Sequence, residues 1–182
     1  VTRRAVTIGG PPGSGKSTAG RLAAQRLGLE FRSAGELFRA EGRTRGMDVE
    51  AFGRYAESHP EVDRELDRLM QTLATPGRLL EGRVQGALCR RNGIPVHYVV
   101  VTASEDERVR RVAGRDGQSE TEARDRLRAR EASERDRYLR FYGIDIDREV
   151  PDLSVDATVP PPHDVAEAIV VFVRAREARG DG

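Results

Sequence analysis

Tryptophan is absent from this 182-residue chain, aromatic residues make up only 5% of it, and there is a single cysteine, Cys89. One cysteine excludes an internal disulfide framework and a cysteine-rich metal site. The three histidines, His59, His97 and His163, are not at ligand spacing and are expected to be structural. No apolar run approaches the ~20 residues that a membrane helix needs. The stretch 1–10 lacks the long apolar region of a signal peptide. A reducing cytoplasm and no membrane partner are therefore expected. The chain also lacks an excess of one charge: 34% of residues are charged, yet the formal net charge is +1. That balance argues against bulk nucleic-acid binding driven by charge. Lysine is nearly missing too. Of 31 basic residues, Lys16 is the only lysine and the other 30 are arginine.

That lysine stands in Gly10-Pro11-Pro12-Gly13-Ser14-Gly15-Lys16-Ser17, which fits the phosphate-loop pattern G-x-x-x-x-G-K-[ST] at every fixed position. Arginine presents a planar fork, whereas lysine is a compact charge on a flexible stem that can reach between phosphate oxygens. Glycine allows close backbone approach, so successive N–H groups can form an anion-binding concavity beside the positive end of the following helix. In this reading, residues 10–18 bind a nucleoside triphosphate. Lys16 reaches its β- and γ-phosphates, Ser17 ligates Mg²⁺, a hard cation that prefers oxygen, and Thr18 bonds the α-phosphate.

The loop has the required context. Residues 5–8 read as a buried strand, and 17–27 as a helix with Leu22, Ala23 and Leu27 on one face and Gly28 as its stop. Further strands are expected at 29–32, 78–81, 95–102 and 155–159. The run of valines in 95–102 suits a parallel sheet covered on both faces. Helical pieces are expected at 35–45, 48–58 and 62–74, punctuated by Asp48 and Pro60, then at 84–91. Ser104 caps a helix to about 115, with Glu107 completing a capping box. Ser119 and Glu122 offer the same box to a long charged helix ending at Tyr142. A terminal helix at 164–179 should turn Val165, Ala168, Ile169, Phe172 and Val173 inward, and residues 180–182 should fray. Alternating strands and helices imply one α/β domain with a doubly wound parallel sheet.

A second group of segments follows the loop in order. These are Ser33-Ala34-Gly35-Glu36-Leu37-Phe38-Arg39, Gly46-Met47-Asp48, Glu50-Ala51-Phe52, and Ala56-Glu57-Ser58-His59-Pro60-Glu61-Val62-Asp63. Then come Glu81-Gly82-Arg83, Arg130-Glu131 with Glu134, Arg137-Tyr138, and Tyr142-Gly143-Ile144-Asp145. With the phosphate loop, this set resembles the short, archaeal-type cytidylate kinases over nearly the whole chain. The resemblance implies a nucleoside monophosphate kinase fold with a five-stranded parallel sheet. A helical acceptor-binding insertion would occupy 33–75 and a mobile lid 115–143, around a core of 1–32, 76–114 and 144–182. The implied reaction is ATP plus CMP or dCMP giving ADP plus CDP or dCDP, catalysed by a monomer acting on a small-molecule partner.

The same resemblance assigns roles. Ser33, Gly35, Arg39, Asp63 and Arg83 belong to the acceptor site, with Arg39 and Arg83 on the acceptor phosphate, which an arginine fork can grip bidentately. Asp63 either reads the base or holds a helix end. Glu81, at a strand end beside the loop, joins Ser17 as a candidate for Mg²⁺. Arg130, Glu134 and Arg137 stand at i, i+4 and i+7 and so share a helix face. The stretch 128–137 has almost no apolar surface, so it either stays solvated or closes over a charged ligand. Arg130 and Arg137 would then neutralise the transferring phosphoryl group, while Glu134 orients an arginine or touches the acceptor. Gly114, Gly117 and Gly143 are candidate hinges.

Two departures stand out. The larger bacterial cytidylate kinases carry an aspartate after the arginine of their Asp-Gly-Arg segment and use it near cytosine, whereas Val84 follows Arg83 here. The run Pro160-Pro161-Pro162 falls beside the expected adenine site. A kinase for another or modified nucleoside monophosphate therefore remains open, as does a nucleotide-dependent RNA-binding regulator.

Overall fold

The computed structural model describes residues 2–180. The described chain forms β1 (Ala5–Gly9), α1 (Lys16–Leu27), β2 (Glu30–Ser33), α2 (Ala34–Thr44), α3 (Val49–Ser58) and α4 (Pro60–Thr72). It continues through β3 (Arg78–Glu81), α5 (Gln85–Arg91), β4 (Val96–Thr102), α6 (Glu105–Asp116), α7 (Glu120–Tyr142), β5 (Leu153–Asp156) and α8 (Pro162–Ala178). The strands make one sheet in the order β2-β3-β1-β4-β5, and every pairing is parallel. The doubly wound α/β expectation therefore holds.

Strand side chains alternate between two cores. Val6, Ile8, Leu79, Val99 and Val101 join α1 and α8 on one face. Ala5, Leu80, Val96 and Tyr98 join Met70 of α4 and Cys89 of α5 on the other. Burying each large aliphatic side chain contributes about 1.5–3 kcal/mol. The three helices between β2 and β3 have a small core of their own, with Phe52, Ala56 and Val62 packed against Phe38, Met47, Tyr55 and Leu66. The α6–α7 pair is held by Val109, Val112, Ala113, Ala123 and Leu127. The C-terminal part of α7 rests on α5, through Tyr138 and Tyr142 against Val84, Ala87 and Leu88.

The caps behave much as their residues predict. Asp48 accepts from the Ala51 N–H at 2.7 Å, and Pro60 opens α4. Ser119 and Glu122 form the full capping box of α7. The box expected at Ser104 is only half formed. Its hydroxyl accepts from the Glu107 N–H, but the Glu107 carboxylate turns to Arg110 and Arg111, and the Ser104 N–H donates to Thr158 Oγ1.

Several expectations need correction. The last strand is Leu153–Asp156 rather than 155–159, because β4 pairs Val99 with Leu153 and Thr102 with Asp156. Asp156 then accepts from the N–H and hydroxyl of Thr158, which turns the chain away and leaves Val159 89% exposed. In α8, Ala168 faces out, and Ala166 and Val170 join the core instead. In α1, Leu22 and Leu27 are only half-buried, while Ala19, Gly20, Ala23 and Ala24 make the close contact. A Cβ on Gly20 would lie 3.1 Å from the Phe31 ring, so small residues let the helix approach the sheet. Gly114 lies inside α6 with nothing near its absent side chain, whereas Gly117 and Gly143 end α6 and α7 in the left-handed region. The expected fraying at Asp181 and Gly182 lies outside the described residues. Among the described residues no helix is long and apolar enough to cross a membrane.

Gly86 of α5 lies against Tyr98, where a Cβ would come within 2.0 Å of the buried ring. Gly86→Ala is expected to lower stability by about 2 kcal/mol or more through overpacking. Gly114→Ala, in open space within a helix, is expected to raise it by about 0.5–1 kcal/mol. Urea unfolding midpoints of both variants check the pair.

Candidate active site

The carboxyl ends of the strands collect at one edge of the sheet, where ligands of open α/β folds bind. The phosphate loop leaves β1 there. Gly10 has φ +134°, and a Cβ on it would lie 2.0 Å from the Val101 carbonyl oxygen. Gly13 and Gly15 also have positive φ, and Gly15 is the N-cap of α1. No side chain caps that helix and no acidic residue stands in its first turn, so its N–H groups and positive end are left to an anion. The buried Ser14 hydroxyl has no hydrogen-bond partner.

Two arginines of α6, which sequence reasoning missed, tie down the loop's carbonyls. Arg108 donates to Pro12 O at 3.2 Å and to Glu131 at 2.5 Å. Arg111 donates to Ser14 O at 3.1 Å, Ala157 O at 2.6 Å and Glu107 at 2.8 Å. With these carbonyls engaged from behind, the loop has less freedom to turn its N–H groups away from a ligand. The only signal in the sequence was two arginines at i, i+3 in the helix after β4, hidden among 30.

Lys16 donates to Pro11 O at 3.3 Å and stands 3.8 Å from Glu81. Burial pushes its ammonium below the usual range, with Arg130 and Arg83 adding to the shift and Glu81 and Glu134 opposing it. A polyanionic phosphate would relieve that strain on the charge. Glu81 ends β3 opposite Ile8 of β1 and Ser33 of β2, and it accepts from the Ser33 hydroxyl at 2.5 Å. Ser33 also caps α2 through the Glu36 N–H, so its hydroxyl is committed inside the fold.

Ser17 and Thr18 are exposed in the first turn of α1. Ser17 and Glu81 are oxygen donors of the kind a hard divalent cation takes, and among the described residues no group of three His, Cys, Asp or Glu could hold a metal. A donor set this sparse fits Mg²⁺, which binds through one or two protein oxygens and completes its shell with phosphate oxygens and water. A cavity of about 410 Å³ adjoins this turn, bounded by Gly15, Thr18, Arg111, Thr158 and the Pro160–Pro162 run. The triproline segment thus forms a wall of the cavity beside the loop.

Opposite the loop, α7 carries Arg130, Glu134 and Arg137 on one face, as the spacing predicted. Glu134 is only 5% exposed despite its charged neighbourhood. One of its oxygens takes Arg130 Nε at 2.8 Å and the other pairs with Arg83 Nε at 3.4 Å. Burial works against its charge, but Arg130, Arg83 and Lys16 outweigh burial and hold its carboxyl below the usual range. Arg137 donates to Asp63 of α4 at 2.6 Å. Lys16, Glu81, Arg83, Arg130 and Glu134 thus form one electrostatic cluster, with the Asp63–Arg137 pair beside it. Arg39 is not joined to it. It is exposed on α2 against Gly35, with no hydrogen-bond or ion-pair partner among the described residues.

Beside this cluster lies a second group that the sequence did not reveal. Asp67, one turn after Asp63, accepts from Gln85 Nε2 at 2.5 Å and from the Tyr142 hydroxyl at 2.6 Å. Burial raises its carboxyl to about 6 from an ordinary 3.8, with Asp63 adding to the rise and Tyr142, Gln85 and Arg137 opposing it. The folded pKa lies above the unfolded one, so the folded state holds an extra proton between about pH 4 and 6. Stability from this group is full below that window and is lost as pH rises through it. Between pH 4.5 and 7.5 the parent should lose about 2 kcal/mol more than Asp67→Asn. Urea titrations of both proteins at the two pH values check this.

Comparison with known proteins gives consistent results. Residues 6–150 match a family described as an AAA domain. The chain is 36% identical over 179 residues to a cytidylate kinase of Archaeoglobus fulgidus, covering 97% of this chain and 98% of that one. It is 39% identical over 162 residues to a cytidylate kinase of Methanopyrus kandleri, with 84% of each covered. Among solved structures, a shikimate kinase from Acinetobacter baumannii in complex with shikimate superposes with a TM-score of 0.61 at 21% identity, covering 96% of this chain and 94% of that one. An uncharacterized protein from Eubacterium ventriosum gives 0.65 at 15% identity, covering 94% and 99%. At these identities the structural matches speak for the fold alone.

Proposed function

This chain belongs to the cytidylate kinase family, and from that premise we propose that it transfers the γ-phosphoryl group of ATP to CMP or dCMP, giving ADP and CDP or dCDP. The observation that carries this reading is the meeting of two anion sites at one sheet edge. One is the glycine loop with Lys16. The other is the arginine pair, Arg83 and Arg130, held around Glu134.

Phosphoryl transfer asks a protein mainly for positioning and charge compensation. The triphosphate lies in the loop, with its nucleoside in the cavity beside Thr18 and the proline run. Lys16 neutralises β- and γ-phosphate oxygens. Arg83 and Arg39 orient the acceptor phosphate, one oxygen of which attacks the γ-phosphorus in line. The bond from that phosphorus to the β,γ-bridging oxygen breaks, and ADP keeps the electron pair. The attacking group is already an anion, so no strong general base is needed. Arg130 and Arg137 compensate the charge that spreads over the transferring group. Mg²⁺, held through Ser17 and the Glu81 side of the loop, supplies further charge neutralisation when bound.

Residues 33–75 act as the acceptor-binding insertion and 115–143 as the lid. In the described arrangement the contacts that draw the lid down include Glu134 to Arg83, Arg137 to Asp63, Tyr142 to Asp67 and Ser133 to Glu57. Substrate phosphates take over these guanidinium groups in turnover, and Gly117 and Gly143 absorb the movement. Closure keeps water from the γ-phosphoryl group, which would otherwise be hydrolysed. All of these groups come from one chain, which suits a monomer. Cys89 is a buried free thiol raised to about 11, which suits a reducing cytoplasm.

A product assay with ATP, Mg²⁺ and CMP tests the proposal. The parent should form CDP, and Lys16→Ala should lose on the order of a hundredfold or more in kcat, the scale expected when charge stabilisation at a transition state is removed. Equal turnover by the two proteins, or ADP formed with no CDP, would refute it.

A further inference from the structure

Gln85 opens α5 two residues after Arg83, and its side chain is fully buried, yet half of its amide has no partner. Nε2 donates to Asp67 Oδ1, while Oε1 is enclosed and accepts no hydrogen bond. An enclosed acceptor left unsatisfied is costly, about 1–3 kcal/mol. The side chain has little room to retreat, because even a Cβ on Gly82 would lie 2.7 Å from Gln85 Cγ.

The orientation of this amide is set by its neighbours. An ionised carboxylate can only accept, so Asp67 turns the NH₂ end of Gln85 toward itself. The Tyr142 hydroxyl donates to the other Asp67 oxygen and holds the carboxylate in place. With its carboxyl raised only to about 6, Asp67 is mostly ionised at neutral pH. Oε1 must then face the other way. A freely rotating glutamine would serve an amine or a carbonyl equally well; one locked in this sense serves only a donor.

We propose that Gln85 reads the acceptor base by accepting from its exocyclic amine, and that Asp67, braced by Tyr142, is a positioning residue that locks the amide for this task. The inference rests on the proposed transfer to CMP or dCMP and names the side chain that tells a 4-aminopyrimidine from a 4-oxopyrimidine. The elements are the right ones: α4 and α7 supply Asp67 and Tyr142, and the same two helices supply Asp63 and Arg137 beside the phosphate-binding cluster. Oε1 is enclosed in the described arrangement, so the base meets it as the 130–137 stretch of α7 lifts, while Tyr142, beside Gly143 at the end of the helix, stays on Asp67. Val84, where the larger bacterial enzymes carry a base-reading aspartate, instead packs under Tyr138 and Tyr142. The polar reader is thus displaced by one residue along the chain.

The test measures kcat/KM for CMP and UMP with ATP in the parent, Gln85→Met and Asp67→Asn, with thermal unfolding to establish that each is folded. The parent should favour CMP by about 10- to 100-fold, the range one buried hydrogen bond can supply. Gln85→Met should lose about that factor on CMP, mainly through KM, and leave UMP within about threefold. In Asp67→Asn the asparagine amide can donate to Oε1 and hold Gln85 turned round, so the CMP-to-UMP ratio should fall at least about tenfold, largely through a gain on UMP. A merely structural role for Asp67 would lower both substrates together and leave the ratio unchanged. That unchanged ratio, in folded Asp67→Asn or Gln85→Met, overturns the proposal, as does a parent that uses UMP as well as CMP. Should Asp67→Asn fail to fold, Gln85→Met alone decides. A parent that phosphorylates neither substrate would instead overturn the kinase reading beneath it.

Discussion

Three cations crowd one end of the sheet: Lys16 at the start of α1, Arg83 after β3 and Arg130 on α7. Each arginine pushes the Lys16 ammonium toward its neutral form, and burial pushes harder still. Two carboxylates, Glu81 and Glu134, keep the arrangement from flying apart. Like charges held together in partly desolvated surroundings are expensive unless anions join them. The rest of the molecule can be understood as the scaffold that holds these charges together.

The scaffold does so by rigid means. Parallel register brings the ends of β1, β2 and β3 level, so that Ser33, Glu81 and the loop after Gly9 meet. Small residues on α1 let that helix lie close to the sheet, which fixes where Lys16 emerges. Arg108 and Arg111 hold the back of the loop from α6. The long helix α7 is built differently. Only Ala123, Leu127 and Glu134 of α7 are buried, and its middle is joined to the core by ion pairs rather than by aliphatic packing. These pairs are mostly buried, so opening one is costly unless another charge takes the partner's place.

How far the sequence could be read depended on how local each signal was. Gly10–Ser17, the Ser119–Glu122 box and the valines of β4 each announce themselves within a few residues, and all were found. Element ends were lost where a neighbour decided them. The end of β5 is set by its register on β4, and the buried stripe of α8 by its packing against α1 and the sheet. The face shared by Arg130, Glu134 and Arg137 follows from helical spacing, but the near-complete burial of Glu134 required knowing that Arg83 lies opposite. Asp67 and Gln85 carried no local mark, and Arg108 and Arg111 only an i, i+3 spacing hidden among 30 arginines. Each gains its meaning from an atom many positions away: Pro12 O, Ser14 O, or the carboxylate that Gln85 and Tyr142 share.

The order of residues alone determined that this chain would carry a phosphate loop, because a glycine loop between strand and helix makes its own anion site from backbone groups adjacent in the chain. It determined the alternation of strands and helices for the same reason, since periodicity is a property of neighbours. Only the tertiary structure decided which of 30 arginines gather at the site, which carboxylates restrain them and which amide is locked toward a carboxylate. Those outcomes depend on distances through space, and charges separated by 50 or more residues interact only after the sheet has brought their elements together.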